Sequence, residues 1–145
     1  MTIPEYVTKE EVQRVCQELG ISDWTSSQAG QVPEEEAEKI LDALEVKGMN
    51  IPVDVFRQGL EVELEHGTRF ADANVTNNHP LLTGRIVLAH LKETMDYYAR
   101  LEVAEIEGDL LKAVLGKNPD KIAAKYRKLV EAQAVLNQAV AQQLQ

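Results

Sequence analysis

Apolar residues recur along this chain at spacings of three and four, in segments closed by glycine, proline and capping residues, which is the pattern of amphipathic helices. Val12, Val15, Cys16 and Leu19 form a first stripe. It follows Thr8-Lys9-Glu10-Glu11, which reads as a capping box: the Thr hydroxyl accepts from the Glu11 backbone and the Glu side chain returns the bond. Gly20 supplies a left-handed stop, giving a helix near 9–19. Ser22 to Gln31 is small and polar around Trp24, so it reads as a loop pinned by one aromatic. Pro33 and three glutamates then open a helix near 33–47, with Ala37, Ile40, Leu41 and Leu44 as its buried stripe and Gly48 at its end.

Val53, Phe56, Leu60 and Leu64 predict a helix over 53–66 that stops at Gly67. A polar turn follows, in which Asp72, Asn74, Thr76 and Asn78 alternate. It lacks both the central glycine and the bidentate glutamate of a calcium loop, since Asn77 and Thr83 stand there, so Asx turns are the expectation. Pro80 opens a long helix over 80–108, apolar on two faces: Val87, Leu88, Leu91, Met95 and Tyr98 on one, Ile86, Tyr97 and Leu101 on the other. A helix apolar on two sides belongs in the middle of a bundle. Asn118 and Pro119 cap a last helix over 119–143. There Ile122, Tyr126, Leu129, Gln133, Leu136 and Val140 make a narrow seam, and charge vanishes after Glu131. This helix either packs on its own domain or contacts a neighbouring subunit. The whole is predicted to be all-α, a small bundle with an N-terminal extension over 1–31, a core domain over 32–110 and a C-terminal arm over 111–145.

Composition narrows the function classes. With 44% apolar and 27% charged residues in 145, the chain is of globular composition and long enough for a real core. Acidic residues outnumber Lys and Arg 24 to 15, for a net charge of −9, which argues against nucleic acid and favours protein partners or cations. The opening Met1-Thr2-Ile3-Pro4-Glu5 lacks the basic start and apolar core of a signal peptide, and no run reaches membrane-spanning length, so no membrane partner and a cytoplasmic location are expected. The single cysteine, Cys16, falls on an apolar stripe and reads as a plain buried thiol.

One constellation carries chemistry. Glu63 and His66 are three residues apart, as are His90 and Glu93, so each pair shares a face of its helix. If the two helices pack antiparallel, the pairs meet. Two carboxylates and two imidazoles suit iron, zinc or manganese, in the manner of a ferritin-like bundle. The same residues read first as a structural hydrogen-bond network, with metal binding next and a solvated face last. No nucleophile–base pair, phosphate loop or dinucleotide fingerprint is present, and the chain does not read as an enzyme.

Phe56-Arg57-Gln58-Gly59-Leu60, Val62-Glu63-Leu64-Glu65-His66-Gly67, Asn74 to Asn77, Pro80, Thr83-Gly84, Ala89 to Glu93 and Asp96-Tyr97-Tyr98 with Arg100-Leu101-Glu102 follow one another in order. Over Glu34 to Glu107 the chain thereby resembles a small uncharacterised family of bacterial and phage proteins, a domain of unknown function. The family usually has an acidic residue before Pro80, where this chain has His79, which can still cap. The resemblance implies no activity, but it raises a phage origin. The expectation is therefore a non-enzymatic structural or interaction subunit of an assembly such as a phage virion, with itself or other subunits as partners. Its location is then the host cytoplasm or the virion. A metal-binding helical protein is the alternative.

Overall fold

The computed structural model describes residues 6–26 and 30–145. The opening pentapeptide and residues 27–29 of the predicted loop lie outside the described residues. Among the described residues six α-helices follow in order: α1 (Lys9–Leu19), α2 (Glu34–Ala43), α3 (Val53–Arg69), α4 (Pro80–Glu93), α5 (Tyr97–Leu115) and α6 (Pro119–Gln143). The all-α prediction holds, and no described helix is long and apolar enough to cross a membrane. The chain forms two compact units, 1–92 and 93–145.

In the first unit the predicted stripes are the core. Val12, Cys16, Trp24, Ala37, Ile40, Phe56, Leu60, Leu64, Val87 and Leu91 are almost wholly out of solvent. Trp24 does pin its loop, and its polar edge is satisfied: Nε1 donates to Glu36 Oε2 at 3.0 Å. Glu36 also takes Ser22 N at 2.9 Å and Ser22 Oγ at 3.1 Å, so one carboxylate on α2 holds the loop that leaves α1. Gly84 sets how closely α4 approaches α2 and α3. A Cβ there would lie 2.8 Å from Leu44 Cδ1 and 3.3 Å from Phe56 Cζ, inside normal contact distance.

One cap and the extents of three predicted helices differ from prediction. The capping box of α1 is only half made: Glu11 N donates to Thr8 Oγ1 at 3.2 Å, but the Glu11 carboxylate is turned to Arg14 instead. α2 ends at Ala43, four residues early, because Glu45 itself takes a left-handed conformation (φ 47°) ahead of Gly48. α3 continues through Gly67 to Arg69. Gly67 serves close approach rather than a stop, since a Cβ would fall 2.3 Å from Asn78 Oδ1. The predicted 80–108 helix is two helices, broken at Thr94–Asp96. The cause is a local competition for hydrogen bonds. The Asp96 carboxylate, almost wholly buried, accepts from Arg100 Nε at 2.8 Å and Nη2 at 2.7 Å, and Thr94 Oγ1 donates to it as well.

The second unit is a hairpin of α5 and α6 joined at Gly116–Asn118. Asn118 caps α6, accepting from Lys121 N at 3.0 Å, and Lys117 takes the left-handed turn (φ 50°). Its buried cluster is Ile106, Leu129 and Ala132, flanked by Val103 and Leu110.

Candidate functional site

The constellation is assembled in part. Glu63, on the half-buried side of α3, lies between two imidazoles. Its Oε2 is 3.9 Å from Nδ1 of His66, one turn on, and its Oε1 is 3.6 Å from Nε2 of His90 on α4. The Glu63 side chain is 15% exposed, His90 30% and His66 46%, so the group opens to water on the His66 side. Both separations exceed a hydrogen bond and are those of long charge pairs. Glu93 is exposed at the last position of α4 and belongs to the second unit. Among the described residues no group of three or more His, Cys, Asp or Glu side chains is placed to hold a metal ion.

His79 does cap α4. Its Nδ1 accepts from Leu81 N at 3.2 Å and Leu82 N at 3.4 Å, so the ring is neutral with its proton on Nε2. Burial pushes its pKa below the ordinary histidine value, while Glu11 acts in the opposite direction. The polar turn is the network of Asx type expected. Asn74 Oδ1 accepts from Thr76 N at 3.3 Å, and Asn74 Nδ2 donates to Asn78 Oδ1 at 2.9 Å. Cys16 is buried, and burial pushes its thiol pKa up, so it stays protonated.

The C-terminal seam is divided by the hairpin. Leu129 is buried against α5; Ile122, Leu136 and Val140 are half-buried; Tyr126 and Gln133 are exposed. One edge of the seam therefore packs inside the unit while the other faces solvent. Around that open edge Leu111, Val114, Tyr126 and Val130 are 50–60% exposed. Two polar residues were not singled out from sequence. Glu36 was legible only as one of three glutamates at a helix start, and Asp96 only as a charge inside an apolar run.

A small, acidic, all-α protein with a half-buried Glu–His group and an amphipathic C-terminal hairpin is the class that fold and site define. The chain belongs to the family described as "Protein of unknown function (DUF5661)", whose model matches residues 12–107. The matched stretch begins inside α1, earlier than the resemblance at Glu34, and stops before α6. No curated protein matches the chain, and no solved structure does.

Proposed function

We propose that the protein is a non-enzymatic structural subunit of a larger assembly, held to its neighbours through the α5–α6 hairpin. A phage head, neck or tail is the setting that the family resemblance raises. The observation that carries this reading is the exposure, at 50–60%, of Leu111, Val114, Tyr126 and Val130 on a unit with so small a buried cluster. Isolated apolar side chains on a surface are ordinary, whereas several on one short hairpin are the mark of a contact surface. The test is gel filtration of a gently made lysate of cells expressing the tagged chain at native level. The chain elutes well above its own 16.2 kDa, and Tyr126→Glu with Val130→Glu returns it to that mass. Wild-type chain that elutes at its own mass throughout overturns the reading.

A second reading, iron, zinc or manganese held by Glu63, His66 and His90 once their side chains close on the ion, is favoured by one observation: both imidazoles approach the same carboxylate. Elemental analysis of protein purified without chelator, compared with His66→Ala/His90→Ala, decides it. Metal in the wild type alone supports this reading, and metal-free wild type removes it.

A further inference from the structure

We infer that the hairpin face is occupied by the same face of a second copy, two hairpins closing into a four-helix arrangement about a two-fold axis. The inference rests on the proposed assembly role and names its first partner. Ile106, Leu110 and Ala113 mark the line by which α5 meets α6, and Leu129, Ala132 and Leu136 the matching line on α6. At 100° per residue, Val114 and Leu111 lie about 70° and 130° from the first line, and Tyr126 and Val130 about 90° and 130° from the second, in the same sense. Helices joined by so short a turn run antiparallel, and in that arrangement both pairs fall on one side of the hairpin. The opposite side carries Asp109, Lys112, Lys121 and Lys128, with Lys125 Nζ 2.6 Å and Lys112 Nζ 3.2 Å from the Asp109 carboxylate. The four large apolar groups therefore share one side of the hairpin, with Glu107 among them, and the side opposite carries these charges together with Val135.

Two quantities favour a copy of this chain as the occupant. A face two helices wide and as long as α5 measures about 30 by 20 Å, so a self-matched pair buries about 1,200 Å², which clears the roughly 1,000 Å² a specific interface needs. Charge permits the approach. Residues 93–145 hold eight acidic and seven basic side chains, a net −1, whereas residues 1–92 carry the remaining −8, so two hairpins meet with little mutual repulsion. A two-fold pairing also presents each apolar side chain to its own kind, and closes the association at two copies.

Sedimentation velocity of the full-length chain, read from about 1 to 200 μM, tests this. The wild type is expected to shift from monomer to dimer and no further. Tyr126→Glu with Val130→Glu weakens the dimer about 100-fold or more, with helical circular dichroism unchanged because both positions are exposed. Lys128→Glu, on the charged side, leaves the dimer in place. A wild-type chain that stays monomeric at the highest concentration overturns the inference while leaving the assembly role with an unlike partner. A dimer that survives the double substitution, or is lost in Lys128→Glu, overturns it too, because the contact then lies elsewhere. Failure of the assembly role itself reads differently: the lysate complex above is absent.

Discussion

At the scale of single residues, the polar side chains with the clearest structural work are His79, Asp96 and Glu36 rather than the Glu–His group. His79 caps α4 through its ring: an unprotonated Nδ1 accepts from two backbone N–H groups. Such a cap is sensitive to acid. Burial holds the folded-state pKa below the unfolded one, so the unfolded chain binds the proton more readily. The stabilisation is complete above the ordinary histidine value of about 6.5 and is lost as pH falls below it. Urea midpoints at pH 7.5 and 5.5 should therefore fall apart in the wild type. They should converge in His79→Asn, whose amide oxygen caps without titrating. Asp96 is held down to about 2 by the Arg100 guanidinium, with Thr94 adding to the effect. Its stabilisation is present above about pH 4 and disappears as pH drops toward 2. Removing the partner in Arg100→Ala leaves a buried carboxylate short of donors and should cost about 2 kcal/mol at neutral pH, measured by urea unfolding. His90→Ala should cost at most about 1 kcal/mol in the same assay, because its contact with Glu63 is 3.6 Å long and partly solvated.

At the scale of elements, two glycines act by the absence of a side chain where a helix must come close to its neighbour. Gly84 lets α4 sit against Leu44, Ile40 and Phe56, and Gly67 lets the Asn74–Asn78 network close over the end of α3. Gly84→Ala forces buried side chains to move and should destabilise the protein by about 1–3 kcal/mol, even though alanine is the better helix former by about 1 kcal/mol. A rise in thermal midpoint for that variant would refute the packing argument. The break between α4 and α5 is the element-scale counterpart of Asp96. Residues 94–96 leave the helix because their side chains offer bonds that the helical backbone does not.

For the whole molecule, burial is unequally shared. The first unit buries Trp24, Phe56 and most of the large aliphatic side chains, whereas the hairpin buries Tyr98, Ile106, Ala113, Leu129 and Ala132 and leaves several large apolar groups in water. Local stability follows buried apolar contact, so amides of α5 and α6 should exchange with deuterium sooner than those of α3 in dilute protein. Raising the concentration to the dimer range should slow exchange in the hairpin alone. Equal protection of the two units in dilute solution would contradict the unequal cores.

From the sequence by itself came the helical class, the stripes that form the first core, and the caps of α1, α4 and α6. These follow from spacing and from residues whose preferences are local, so neighbours in sequence are enough to read them. Helix ends were legible only where a local signal was also the operative one. It was at Gly20 and Asn118, but at Gly67 the glycine answers to Asn78 across the turn, and at Thr94–Asp96 a buried carboxylate paired with Arg100 outweighs an unbroken apolar pattern. The tertiary structure alone decided which polar residues meet. The i, i+3 spacing placed Glu63 beside His66, but only the packing of α3 on α4 brought His90 to the same carboxylate. It likewise divided the C-terminal seam into a packed edge and an open one, because which side of an amphipathic helix is covered depends on the rotation of its partner, a quantity that spacing along one chain does not encode.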